Sequence, residues 1–196
     1  MKKMKKSLGF TLIEFLVVIV VVGSIGLVIV GILTSALRGT KKADILNIVR
    51  QNGNQALVQM TKDVTYARSF DGVSTKGEKF NVDCMQAQVA DPTPTPTPIQ
   101  YKSLKITASD GKEIVYKCID DGITDNITSN DEPIIDSNSV KVVPNTCWFT
   151  CTKERITSNP IIGIKFQLIQ KARSAHVENT ASIPFETSVT FKNAIR

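Results

Sequence analysis

The pattern of apolar and polar positions divides most of this sequence into three parts. Residues 10–33 are apolar almost without interruption, and a helix rising about 1.5 Å per residue would let them cross a hydrocarbon layer of about 30 Å. Over residues 34–68 apolar side chains recur at steps of three and four, which predicts an amphipathic continuation of the helix. The stripe consists of Ile45, Val49, Ala56, Met60, Val64 and Ala67. Its gap falls at Gly53, where, as at Gly39, a glycine costs about 1 kcal/mol relative to alanine and predicts curvature or a local break.

From residue 69 onward the period changes to two, which predicts strands joined by turns. Asp71-Gly72 predicts a turn, and Asp110-Gly111 predicts a hairpin between a strand at Leu104–Ala108 and a return strand at Glu113–Ile119. Further strands are predicted at Ser139–Val143, Cys147–Thr152, Ile161–Gln170 and Phe185–Lys192. In the last two strands, the apolar residues on one face are Ile162, Ile164, Phe166 and Leu168, and then Phe185, Val189 and Phe191. We therefore expect an α+β fold, with the long N-terminal helix packed on an antiparallel β head at residues 69–196.

Few residues of the head suggest chemistry. The alternating prolines of residues 92–98 predict an extended, exposed loop that acts as a spacer. An acidic stretch has oxygen ligands of the kind calcium prefers, but its spacing does not fit an EF-hand loop, so it predicts a solvated turn region. It comprises Asp120, Asp121, Asp125, Asn126, Asn130, Asp131, Glu132 and Asp136. His176 is the only histidine and has no nucleophile motif nearby. We expect no enzymatic activity, cofactor or metal.

Most of the net positive charge of the chain lies at its start. The net charge is +6, but four positive charges belong to Lys2, Lys3, Lys5 and Lys6, and without them the charge is about +2. A basic segment directly before an apolar span holds the N-terminus in the cytoplasm and sends the C-terminal part outward. Nucleic-acid binding is therefore not indicated by the high pI.

One ionisable residue, Glu14, interrupts the apolar span. A carboxylate there costs at least about 2.5 kcal/mol on insertion scales, so it marks a functional site. The basic leader, Gly9, the aromatic Phe10 and an acid five residues after the glycine form one pattern. This pattern resembles the class III signal of type IV prepilins and type II secretion pseudopilins over roughly residues 1–60.

The resemblance implies how the protein is processed and used. A prepilin peptidase would cut after Gly9, remove residues 1–9 and N-methylate Phe10. Glu14 would then set the axial register between subunits by pairing with an α-amine. The protein would be a minor pilin or pseudopilin subunit, held first by membrane lipid as a single-pass inner-membrane protein. It would meet an inner-membrane assembly platform and other pilin subunits, and end in an extracytoplasmic filament.

Two other interpretations of the N-terminal segment stay open. Residues 34–36 could end an ordinary secretory signal, although the apolar core is too long for one and contains an acid. A single-span anchor could also carry an exported binding domain that never polymerises. Neither explains the position of Glu14.

The four cysteines all lie in the part expected to leave the cytoplasm. An even count in an exported domain favours disulfides, with a four-thiolate zinc site and free buried thiols as the alternatives. Cys147 and Cys151 would lie about 13 Å apart in an extended strand, whereas direct bridging needs about 4.4–6.8 Å. They should therefore pair with Cys84 and Cys118, in an order that the sequence leaves open.

Overall fold

The computed structural model of this protein describes residues 11–84, 99–120, 122, 125–153, 159–171 and 182–192. The chain divides into two compact units, Met1–Asp44 and Ile45–Arg196. One α-helix, α1 (Leu12–Tyr66), begins in the first unit and ends in the second. The helix predicted over residues 10–33 and 34–68 is thus confirmed for its described residues. It ends two residues before the predicted boundary.

In the first unit, α1 presents apolar side chains on every side. The large apolar residues from Leu12 to Leu37 are between 49% and 85% exposed. Two of its hydroxyl groups are satisfied within the helix, because Ser24 Oγ donates to the carbonyl of Val21 (2.8 Å) and Thr34 Oγ1 donates to that of Gly31 (3.0 Å). A helix with this composition and length can cross a membrane.

In the second unit, α1 buries the predicted stripe, with Ile45 only half-buried. Gly53 fills the gap in that stripe and is itself buried, and the helix continues through it. Of the two alternatives predicted at Gly53, curvature or a local break, the break is therefore excluded. A Cβ at this position would lie 2.1–2.4 Å from three ring atoms of Phe185. Glycine is needed here because an aromatic side chain of the sheet occupies the space.

The first sheet has five antiparallel strands in sequence order. They are β1 (Ser69–Ser74), β2 (Ser103–Thr107), β3 (Glu113–Ile119), β4 (Asn126–Ser129) and β5 (Glu132–Pro133). The hairpin at Asp110-Gly111 is confirmed, since β2 and β3 pair and Gly111 has a φ of +86°.

Of two turn predictions in this sheet, one is wrong and the other is right only in part. Asp71-Gly72 lies inside β1, where the register shifts as in a β-bulge. Gly72 has a φ of +123°, and a Cβ there would lie 2.8 Å from the carbonyl oxygen of Asn81, so this glycine permits the bulge and a close approach. The acidic stretch contains β4 and β5 rather than turns alone. Asn130 and Asp131 both have positive φ, as a tight two-residue hairpin turn requires.

The second sheet is built around the longest strand. It comprises β6 (Val140–Val142), β7 (Trp148–Thr152), β8 (Ile161–Gln170) and β9 (Ser182–Thr190). The central strand β8 pairs antiparallel with the other three. The two predicted apolar faces are confirmed, because all seven of their side chains are buried.

The core lies between the two sheets and the C-terminal part of α1. Tyr116 is fully buried and donates its hydroxyl hydrogen to Asp63 Oδ2 on α1 at 2.5 Å. The sheets also meet directly, since the backbones of Tyr101 and Phe149 exchange two hydrogen bonds of 2.7 and 2.8 Å. The α+β fold with an antiparallel β head is therefore confirmed.

Candidate functional site

The first turn of α1 holds the single carboxylate of the apolar segment. Thr11 precedes the helix as its N-cap, and its Oγ1 accepts a hydrogen bond from the backbone N–H of Glu14 at 3.3 Å. In return, Glu14 Oε2 accepts the backbone N–H and the hydroxyl of Thr11, each at 3.0 Å. This reciprocal pair is a capping box, which satisfies backbone donors that have no partner within the helix.

This arrangement gives Glu14 a local role. One carboxylate oxygen is held by its own chain, and within the described part of the protein no group bonds to Oε1. A carboxylate near the positive end of the helix dipole is also electrostatically favoured. The second oxygen is therefore available to a donor from elsewhere.

The predicted cleavage and methylation residues, Gly9 and Phe10, lie outside the described residues. Glu14 stands at the start of the helix, as expected from the sequence. Thr11 was not predicted as its partner. The signal was present, since a threonine followed three residues later by a glutamate before an apolar run is the signature of a capping box.

The four cysteines of the head form two disulfides, Cys84–Cys151 and Cys118–Cys147, with Cα separations of 5.2 and 5.6 Å. The prediction that Cys147 and Cys151 do not bridge each other is confirmed, and zinc binding by these four residues is ruled out by the pairing. Both bridges connect the region of β7 to other parts of the head, namely β3 and the segment that follows β1.

The acidic stretch faces lysines. Asp120 accepts Lys102 Nζ at 2.5 Å, and Asp131 accepts Lys117 Nζ at 2.6 Å. Asp125, whose side chain is 3% exposed, lies 3.7 Å from Lys141 Nζ. Within the described ranges, no group of three or more His, Cys, Asp or Glu residues is placed to hold a metal ion.

Three parts of the chain considered from the sequence lie outside the described residues: Asp121 of the acidic stretch, the Pro-Thr segment at residues 92–98, and His176. Among the described groups, Tyr116 has a strongly perturbed environment. Burial, and then the hydrogen bond to the Asp63 carboxylate, raise the pKa of its phenol well above the usual value. This pair fastens β3 to α1 and is structural.

Comparison with protein-family models, with curated proteins and with solved structures gave no match. The molecule itself combines a long, apolar N-terminal helix, whose C-terminal part packs on antiparallel sheets, with a head closed by two disulfides. These are pilin-like elements, and the apolar part of the helix is compatible with a single-pass membrane anchor.

Proposed function

We propose that this protein is a non-enzymatic structural subunit, a minor pilin or pseudopilin, of a type IV pilus, a type II secretion pseudopilus or a related envelope filament. It polymerises without covalent bonds through its N-terminal helix. The observation that carries this proposal is the N-terminal segment of α1, which is exposed and apolar on all sides and whose single acid stands at its start, capped by Thr11.

The exposed apolar surface suits two successive environments, the membrane and then the filament. In a membrane, lipid covers the apolar side chains of α1 in the first unit, and the internal hydrogen bonds of Ser24 and Thr34 leave these hydroxyls satisfied. In a filament, the same surface packs against the helices of neighbouring subunits. Because both environments are apolar, transfer between them costs little hydrophobic free energy.

In the proposal, Glu14 favours the filament over the membrane. An unpaired carboxylate in an apolar environment is costly, and Oε1 lacks a partner within the described chain. Cleavage after Gly9 would create an α-amine on Phe10, and the amine of an adjoining subunit would supply the missing positive charge. The proposed partners are accordingly a prepilin peptidase, an inner-membrane assembly platform and other pilin subunits.

The head fits an extracytoplasmic location in this proposal, because disulfides persist in oxidising compartments. The chain would insert as a single-pass protein with its N-terminus in the cytoplasm. It would then be drawn into a filament outside the membrane. A minor subunit is favoured by the long, cysteine-bearing head.

The proposal is tested by substituting Glu14 in the producing cell. Glu14→Gln and Glu14→Leu should both insert in the membrane and be cleaved after Gly9, but neither should be recovered in surface filaments analysed by mass spectrometry. Glu14→Gln is the sharper variant, since it keeps the shape of the side chain and removes only its charge.

Ser24→Ala is the matched control, because Ser24 bonds within its own helix and should assemble like the wild type. If both Glu14 variants enter filaments normally, Glu14 does not set the register. If the wild-type chain is absent from every filament fraction and stays in the membrane, the protein is instead an anchored, exported domain that does not polymerise.

A further inference from the structure

The apolar segment of α1 ends at a group of basic residues. Over residues 12–37 the helix carries one charged side chain, that of Glu14. Directly after this segment it carries three positive charges, which we call the basic cluster: Arg38, Lys41 and Lys42. All of them belong to the first unit, which ends at Asp44. The helix thus changes from uncharged to strongly positive within little more than one turn.

The side chains of the basic cluster share one side of the helix. Lys41 and Lys42 follow Arg38 by three and four residues, and residues at these steps are neighbours on a helix surface. All three are exposed, and α1 continues without interruption through this region. The positive charges are therefore presented together, on a regular helix rather than on a loop, to whatever lies beside them.

No acid neutralises the basic cluster within the described ranges. None of its side chains forms an ion pair or a hydrogen bond there. The nearest acid in the sequence after the cluster is Asp44, three residues beyond Lys41, and it is exposed as well. Residues 38–44 contain three positive charges and one negative charge, which leaves +2. The counter-charge of the cluster therefore comes from the surroundings of the helix.

A membrane around the apolar segment would place lipid phosphates at the level of the basic cluster. At about 1.5 Å per residue, residues 12–37 are about 38 Å long, which is more than a hydrocarbon core of about 30 Å and less than a whole bilayer of about 40–45 Å. The segment therefore ends in the headgroup layer, and Lys42 lies only about 6 Å beyond Arg38 along the axis. Long basic side chains can extend over such a distance to place their charges at the interface.

We propose that the basic cluster binds the phosphate groups of anionic phospholipids at the membrane surface where the apolar segment ends. The planar guanidinium of Arg38 donates two parallel hydrogen bonds to phosphate oxygens, and Lys41 and Lys42 add positive charge beside it. A zwitterionic lipid is a poorer partner, because its own ammonium group already neutralises its phosphate. The inference rests on the membrane stage of the proposed function and does not require polymerisation.

Nanodiscs of phosphatidylcholine with a minor fraction of phosphatidylglycerol test the proposal. The full-length protein is reconstituted in these discs, and the lipids that remain bound to it are counted by native mass spectrometry. Each basic residue at an anionic membrane surface contributes about fivefold in affinity, so the wild type should enrich phosphatidylglycerol by at least about fivefold over its share of the disc lipid. The triple variant Arg38→Gln/Lys41→Gln/Lys42→Gln should lower this enrichment by about fivefold or more.

Two further variants separate the position of the charges from their number. Arg50→Gln/Lys62→Gln/Lys112→Gln also removes three positive charges, from exposed positions of the second unit, and should keep the enrichment of the wild type. Lys41→Arg/Lys42→Arg retains the charge of the cluster and should keep the enrichment too. The lysines at the start of the chain are unchanged in every variant, so their own attraction for anionic lipid cancels in the comparison.

Equal enrichment for the two triple variants would overturn the proposal, because net charge rather than the basic cluster would then attract the lipid. A wild type that inserts without enriching phosphatidylglycerol would also overturn it, and would point to an acidic protein surface as the counterpart of the cluster. Such a result would leave the proposed function intact. A wild type that does not insert even in pure phosphatidylcholine discs would contradict the membrane stage of the proposed function, and this inference with it.

Discussion

The contact between Gly53 and Phe185 leads to a quantitative prediction. Gly53→Ala adds one methyl group at 2.1–2.4 Å from three atoms of the Phe185 ring, whereas carbon atoms in contact lie about 3.5–4.0 Å apart. The ring must therefore move by more than about 1 Å. It is 7% exposed and stacks on Phe166, with ring centroids 5.2 Å apart, and Phe166 is 1% exposed.

Two effects of opposite sign act in this variant. Overpacking a tight core costs about 1–3 kcal/mol. Replacing glycine by alanine within a helix contributes about 1 kcal/mol in the other direction. Because the obstacle is an enclosed ring rather than the end of a flexible side chain, we expect overpacking to dominate, with a net loss of about 1–2 kcal/mol in the free energy of unfolding.

Chemical denaturation of the full-length protein in detergent, followed by the fluorescence of Trp148, measures this loss. Trp148 is the only tryptophan and lies in β7, so it reports on the head. Gly39→Ala is the control, since nothing lies within 4 Å of its Cβ position, and it should not destabilise the head. In combination with Phe185→Leu, the Gly53→Ala loss should largely disappear. A Gly53→Ala protein as stable as the wild type, or losses that simply add, would refute this account.

Three further predictions concern other parts of the molecule. Cys84→Ser should lower the free energy of unfolding by about 4 kcal/mol, because the bond to Cys151 closes a loop of 67 residues; denaturation under non-reducing conditions measures it. The pKa of Tyr116 is raised in the folded protein, so its contribution to the free energy of unfolding is fully present below about pH 10 and is lost as the pH rises further. Tyr116→Phe should make the free energy of unfolding less dependent on pH in this range and should cost about 1.5–3 kcal/mol at neutral pH, as measured by denaturation at a series of pH values. Gly9→Val should leave an uncleaved, membrane-inserted precursor, whereas mass spectrometry of the wild type should find Phe10 as the first residue.

The spacing of apolar residues in the sequence was sufficient to predict most of the fold. The alternation in residues 161–170 gave the exact bounds of β8, because a strand with one buried face repeats every two residues. The helical stripe likewise identified Val49, Ala56, Met60 and Val64 as core residues. Burial of one face is a local signal, so it can be read from neighbouring positions in the sequence.

The errors came from contacts between distant parts of the chain. Gly72 looks like a turn residue locally, but its conformation serves a bulge that lies against Asn81. Gly53 looks like a weak point of a helix until Phe185, far along the sequence, is placed against it. The sequence could exclude a bridge between Cys147 and Cys151, but the choice between the remaining pairings depends on how the two sheets meet.

The candidate site was partly accessible from the sequence. Glu14 could be identified from the sequence because a carboxylate in an apolar span is costly in free energy. Its bond with Thr11 could also have been predicted, since both residues lie in one helical turn.

The disulfide between Cys84 and Cys151 also limits how far the protein can be stretched. If tension is applied between the N-terminal helix and the end of β9, the force passes through the sulfur–sulfur bond and bypasses the chain between the two cysteines, which are 67 positions apart in the sequence. At about 3.3–3.6 Å per extended residue, roughly 220–240 Å of chain is withheld from extension, even when the first sheet comes apart. Under load the head would therefore lengthen only by its flanking segments, and the bypassed strands could pair again once the tension falls.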